Sequence, residues 1–361
     1  MKKFFGLMMA LLLLASCAKK EQIPVYVWGF AAPDMEESAL REQFALFGQH
    51  HVTGVCFDCG WDKELIGKTA SIAHEYGLEY HAWISAMLSG DQDPSWYTVN
   101  RLGESSFDQP AYVPFYQSLD PHNPEVVEFL VDRFAEVAAI PEVDYVQLDY
   151  IRYADVILPL GLWDKFGLEM NEEYAPADYC YCDDCVADFQ EKTGIDIRAM
   201  EDPSKCTEWA EFRCNVLTAL VNQIAAVVHA QGKKISADVF PGPDSYARWM
   251  VRQQWNDWAV DGVFPMNFND TFLEPVTWVG DVTREEVVSV ADRGVPVYSG
   301  LYICKDWEHR DEIEDPDARG LVPSELEEAV LAAMDAGAAG ICLFNADAMT
   351  PDHWAALDRL R

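Results

Sequence analysis

Residues 143–153 read VDYVQLDYIRY. A run of apolar side chains leads directly into an acid, Asp149, and then into Tyr150, Arg152 and Tyr153. A strand this apolar is buried on both faces, the condition of a parallel sheet covered by helices. A carboxylate at its exit then stands where such folds place their chemistry, at the C-terminal end of a strand.

The same pattern repeats on either side. Apolar runs at 23–30, 52–58, 78–85, 143–149, 233–240, 260–268, 295–302 and 339–345 alternate with amphipathic helical stretches. Asn123 and Pro124 open one of these helices, with the cap residue and the proline in their preferred positions. Eight strands alternating with helices predict an α/β fold, a (β/α)8 TIM barrel. The competing architecture is an open doubly wound sheet. It is weakened because WGFAAPDM follows the first strand where a glycine-rich phosphate loop would stand. The segments VDYVQLDY and VDGVFPMNF share V-D-x-V, which suggests equivalent strand entries. Two connections, 86–123 after the third strand and 150–206 after the fourth, are far longer than usual loops and would sit at the barrel mouth. Their aromatic residues, among them Trp96, Tyr112, Phe115 and Tyr116, can pin the loops or stack on a ligand.

The predicted strand ends supply the candidate chemistry. They offer Trp28 and Phe30, Asp58, His81 with Trp83 and Ser85, Asp149 with Tyr150 and Arg152, Asp238, Asn267 with Asn269, Tyr298, and Asn345 with Asp347. Two carboxyls on adjacent strands cannot both ionise easily. One is driven to hold its proton beside the other, and glycoside hydrolysis needs this division. Asp149 is therefore the candidate nucleophile or base and Asp238 the candidate proton donor. Trp28, Asp58, His81, Trp83, Tyr150, Arg152, Asn267, Asn269, Tyr298, Asn345 and Asp347 are candidates for substrate binding. Such a mechanism needs no cofactor. A non-catalytic glycan-binding barrel is the alternative from another class, and a metal-dependent polysaccharide deacetylase is a third. The last usually needs closely spaced histidines, and no H-x-H or H-E-x-x-H stands at a strand end.

Ten cysteines stand in the chain. Cys180, Cys182 and Cys185 form C-x-C-x2-C inside the second long connection. They are a candidate structural zinc site whose fourth ligand is Cys206 or a carboxylate, or else a disulfide cluster with Cys206 and Cys214. The N-terminus carries Lys2 and Lys3, the apolar run FFGLMMALLLLA, and then Leu14-Ala15-Ser16-Cys17. This is the layout of a secretory signal, too short for a comfortable membrane span. Its last four residues resemble the bacterial lipoprotein lipobox. That resemblance implies a signal peptide over 1–16, lipidation of Cys17 and a tether over 17–22, so the one barrel domain expected over 23–361 would be held at the cell envelope, on the periplasmic or extracellular face of the outer membrane. With 61 acids against 26 bases, the net charge of −35 disfavours nucleic acid and, less strongly, polyanionic substrates. Contact with membrane is expected through the lipid alone. Nothing in the sequence sets the oligomeric state.

VDYVQLDYIRY, CYCDDCVADFQEKTG, ISADVF and VDGVFPMNF together resemble the family-10-like glycosyl hydrolase group of bacterial lipoproteins and secreted proteins. That group carries a D-Y-x-R-Y strand end and a later P-M-N-Y strand end. The resemblance spans roughly residues 23–350. It implies a (β/α)8 fold, hydrolysis of a poly- or oligosaccharide, and a central role for Asp149. Phe268 stands where the group's pattern has tyrosine, and no glutamate occupies an obvious acid position.

Overall fold

The computed structural model describes residues 22–315 and 318–361. The expected signal sequence, Cys17 and most of the expected tether lie outside them. Eight strands form one parallel sheet: β1 Val25–Phe30, β2 Gly54–Asp58, β3 Glu79–Ser85, β4 Tyr145–Asp149, β5 Lys234–Val239, β6 Gly262–Pro265, β7 Tyr298–Tyr302 and β8 Gly340–Phe344. Their order is β6-β5-β4-β3-β2-β1-β8-β7. Parallel bridges from Val263 to Val297 and from Met266 to Gly300 join the two ends, so the sheet is a nearly closed barrel rather than an open doubly wound sheet. Most strands begin one to three residues later than their apolar runs. Val52 and Val143 are buried without being paired, because hydrophobicity marks burial rather than ladder bonding.

Helices α1 Glu37–Gln49, α2 Lys63–Glu75, α3 Pro124–Ala138, α4 Asp183–Thr193, α5 Thr207–Ala230, α6 Trp278–Ser289, α7 Pro323–Asp335 and α8 Pro351–Asp358 cover the sheet or fill the connections. Their starts are chemically marked. The Asp62 side chain accepts from the N–H groups of Glu64 and Leu65, and Asn123 accepts from Glu125 ahead of Pro124. The β5–β6 connection departs from the expected alternation. Only short turns at Pro243–Ala247, Arg248–Met250 and Trp255–Asp257 lie there. Pro241-Gly242-Pro243 stands where a helix would start, and the buried Trp255 and Trp258 fill the layer instead.

The strand period of two divides the core. Val25, Val27, Val55, Ala82, Ile84, Val146, Leu148 and Ile235 belong to the large cluster between sheet and helices. Tyr26, Trp28, Cys56, Trp83, Phe264 and Cys342 form a second cluster inside the barrel. Each large ring so buried contributes roughly 1.5–3 kcal/mol.

No regular barrel helix intervenes between β3 and Pro124 or between β4 and Asp183, and these two connections are zipped to each other. Tyr181 N donates to Val99 O (2.6 Å), Arg101 N to Asp178 O (2.9 Å), and Tyr112 Oη to Asp155 O (2.5 Å). Asp178 anchors the second connection. It is fully buried, and burial works against its charge, yet Arg213 and Arg252 hold its carboxyl below the usual range. Among the described residues, no helix is long and apolar enough to cross a membrane.

Candidate active site

In β4 the inward positions are Tyr145, Gln147 and Asp149, while Val146 and Leu148 face the helices. The pairing of Leu148 with Ala237 makes Asp149 and Asp238 neighbours one residue further on. Both line a cavity of about 260 Å³ at the C-terminal mouth, together with Trp28, Phe30, Asp58, Trp83, Ser85, Tyr150, Arg152, Met266, Phe268 and Phe344. Larger grooves of about 760 and 1160 Å³ run over the outside of the barrel and across the inserts. Those grooves do not contain the two buried carboxyls, which sit at the mouth.

Asp149 is 6% exposed. Its Oδ2 accepts from Trp83 Nε1 (3.1 Å) and its Oδ1 from the Tyr150 amide (2.7 Å). Tyr150 adopts φ +47°, a left-handed conformation uncommon outside glycine, at the point where the chain leaves the strand. Burial pushes the Asp149 pKa up to about 6, against the opposing pull of the Tyr150 amide, Arg152 and Trp83.

Asp238 lies deeper, at 2% exposed. Its Oδ1 accepts from Gln147 Nε2 (2.5 Å) and Trp28 Nε1 (3.1 Å), and its Oδ2 is buried with no partner. Burial first, and then the charge of Asp149, raise its pKa well above the usual carboxylate range. Both carboxyls are therefore pushed toward the protonated form, Asp238 being the deeper of the two, and the pair titrates as a unit.

Arg152 does not neutralise Asp149 directly. It pairs with Asp155 (2.6 Å), donates to Tyr116 Oη (3.0 Å), and lies over the Phe240 and Tyr150 rings at 4.9 and 5.4 Å. Tyr150, Arg152, Met266 and Phe268 also border an adjoining cavity of about 280 Å³, walled by Tyr112, Phe115 and Tyr116 of the first insert. Asp58 is half-buried, accepts from the Gly60 amide (2.6 Å), and is raised by burial.

Six candidate binding residues fall away from the cavity lining. His81 is packed deeper in the barrel, stacked on Tyr145 (4.1 Å) and bonded to Ser236 (3.1 Å), because it lies four residues before the end of β3. Burial lowers its pKa. Tyr298 opens β7 rather than closing it and packs on Tyr26 and Phe264 in the same deep layer. Asn267 faces outward between Met266 and Phe268, its Nδ2 within hydrogen-bond distance of Ser299 Oγ (2.9 Å), Glu286 Oε2 (3.1 Å) and Thr283 Oγ1 (3.2 Å). Asn269 holds its own loop through Glu274 O (3.0 Å). Asn345 accepts from the Asp347 amide (3.0 Å), and the exposed Asp347 accepts from Gln43 on α1 (3.2 Å). Gln147, Phe268 and Phe344 enter the site instead.

Glu286, which receives one of the Asn267 bonds, also accepts from the Gly242 amide (3.1 Å) and so fixes the segment just after Asp238. Burial raises its pKa to about 8. A raised folded-state pKa gives stability that is full below the ordinary carboxylate pKa and lost as pH rises through about 8. Between the ordinary carboxylate pKa of 4.5 and about 8, unfolding free energy should fall by about 1.4 kcal/mol per pH unit from this group, and the decline should level off above about 8. Chemical denaturation from pH 6 to 9.5 should show the decline, and Glu286→Gln should flatten it.

The glycine at 300 is needed where the barrel closes. A Cβ there would lie 2.6 Å from Pro265 O and 2.7 Å from Trp28 Cη2. Gly300→Ala should therefore cost roughly 1–3 kcal/mol by overpacking. It should also move the indole that donates to Asp238, seen together as a lower urea midpoint and altered tryptophan fluorescence.

A nearly closed (β/α)8 barrel with two buried acids at its C-terminal mouth has its polar cavity where barrels of this kind place their sites. Solved structures with this fold include the PgaB (BpsB) glycoside hydrolase domain from Bordetella bronchiseptica, with a TM-score of 0.67 at 13% identity over 93% of this chain and 98% of that one. The catalytic domain of β-amylase from Paenibacillus polymyxa gives 0.58 at 12% identity over 93% and 97%. A class V chitinase from Pseudomonas fluorescens Pf-5 gives 0.53 at 12% over 93% and 98%. At these identities the likeness establishes the fold. The chain matches no protein-family model and no curated protein.

Proposed function

We propose that this protein is a glycoside hydrolase that cleaves a poly- or oligosaccharide with Asp149 as nucleophile or base and Asp238 as proton donor. The observation that carries the reading is the division of the two acids in one cavity. Asp238 is buried with an unpartnered Oδ2 and is driven toward its protonated form by burial and by the charge of Asp149, while burial pushes the Asp149 pKa up to about 6. A glycosidic oxygen needs a proton as its bond breaks, and the anomeric carbon needs a carboxylate or a water activated by one. Trp28, Phe30, Trp83, Phe268 and Phe344 offer apolar ring surface for the C–H faces of a sugar, and Arg152 offers donors for hydroxyls.

Two finer assignments rest on sequence. Membership of the family-10-like group is supported by the DYIRY strand end and the PMNF segment, with Phe268 in place of tyrosine. Lipid anchoring at the cell envelope is supported by the leader and by Leu14-Ala15-Ser16-Cys17. The test is release of new reducing ends from a panel of neutral, amino and acidic polysaccharides. The reading expects turnover of at least one of them, lost in Asp149→Asn. Binding without any product in the wild-type protein would favour a non-catalytic glycan-binding barrel. Turnover that depends on an added divalent metal and releases acetate would favour a deacetylase.

A further inference from the structure

The two inserts meet at a cluster that the cavity does not use. Asp120 of the first and Cys180, Cys182 and Cys185 of the second bring one carboxylate oxygen and three sulfurs within 4.8 Å of one another. The surrounding backbone is folded onto the sulfurs. Val99 N and Cys182 N each donate to Cys180 Sγ at 3.4 Å. Cys185 N donates to Cys182 Sγ at 3.4 Å in the first turn of α4. Amide N–H groups aimed at sulfur favour the thiolate, the form that ligates a metal.

Asp120 raises the decisive question. It is 5% exposed, and among the described residues it pairs with no lysine or arginine. Its side chain meets the Cys182 thiol (2.9 Å), the Cys185 thiol (3.8 Å) and the His122 amide (2.9 Å). A buried carboxylate among three thiols stays ionised only beside a counter-charge. A divalent cation supplies it, and three sulfurs with one oxygen are a donor set suited to tetrahedral zinc, with bonds of about 2.0–2.3 Å. Cys206 does not complete the set, since its thiol turns to Glu208 (3.7 Å), and Cys206 and Cys214 are both free thiols.

We propose that Asp120, Cys180, Cys182 and Cys185 form a closed structural zinc site that pins the first insert to the second. Four protein ligands leave no open position, so the ion has no part in substrate chemistry. Its effect on the cavity is mechanical. The first insert carries Tyr112, Phe115 and Tyr116, the second carries Tyr150 and Arg152, and the site holds the two walls in register.

Metal analysis of the purified full-length protein should find one zinc per chain. Asp120→Ala and Cys182→Ser should lose it, Asp120→Cys should keep it with four sulfur ligands, and Cys206→Ser should leave it unchanged. Should the first two variants fail to fold, cobalt exchanged into the wild-type protein decides, through thiolate charge-transfer bands and a tetrahedral ligand-field spectrum. The proposal is overturned if wild-type protein dialysed against a zinc salt takes up no tightly held ion. It is equally overturned if peptide mapping without reductant joins any two of the three cysteines in a disulfide, or if Asp120→Ala holds zinc as tightly as the wild type.

Discussion

Asp149→Asn should lower kcat by at least about 10³-fold while KM and stability change little. The substituted amide has nearly the same shape, and its oxygen can still accept one of the two bonds that now come from the Trp83 indole and the Tyr150 amide. What is removed is the negative charge in the cavity, which the proposed reaction sets against the anomeric carbon or its water. A second consequence separates this role from a packing role. The Asp149 charge is the largest contribution after burial to the raised pKa of Asp238. Asp238 should therefore titrate lower in the variant, and the alkaline limb of any residual pH profile should shift toward acid. Steady-state kinetics on a responsive polysaccharide, with thermal denaturation as the control for folding, measure both effects. Unchanged kcat would remove Asp149 from the chemistry.

Asp238→Asn should act on the leaving group. Loss of a positioned proton donor typically costs about 10²–10⁴-fold. The loss should fall on sugars, whose leaving oxygens need a proton, and should nearly vanish for aryl glycosides whose leaving groups depart as stable anions. In the wild-type protein, activity should rise as Asp149 ionises near pH 6 and fall at higher pH as Asp238 gives up its proton. The alkaline limb should disappear in Asp238→Asn while the acid limb persists. An equal loss on both substrate classes would mean that Asp238 supports the site without donating to it.

Much of this arrangement is readable from residues 143–153 and the runs that resemble them, because a parallel barrel writes each strand as an apolar block and each active position just beyond it. Asp149 ends its strand and Asp238 stands one residue before the end of its own, and the structure brings both to the cavity. Where the reading fails, the cause is parity or length. An apolar run does not reveal which of its residues face inward, so Asn267 was expected at the mouth although Met266 and Phe268 are the inward pair. Nor does it show where pairing stops, so Tyr298 was read as the end of β7 although Tyr302 is. Gln147 was visible inside the decisive stretch. A polar residue two positions before Asp149 must share its face, and that period-two argument would have found it. Asp120 had no such signal. It lies 60 residues before Cys180 in DPHNP, a segment that reads as a turn and a helix cap, and only the packing of one insert on the other brings it to the thiols.

The most direct test of the divided acid pair needs no substrate. Carbon-13 labelling of aspartate carboxyls, with Asp149→Asn and Asp238→Asn to assign the signals, would follow both groups by NMR from pH 3 to 10. The pair should titrate in two steps, the first near 6 and the second well above the usual carboxylate range, and the second should move down in Asp149→Asn. Two carboxyls that both ionise by about pH 4, as free aspartates do, would contradict the proposed reaction: neither could then hold the proton that it requires.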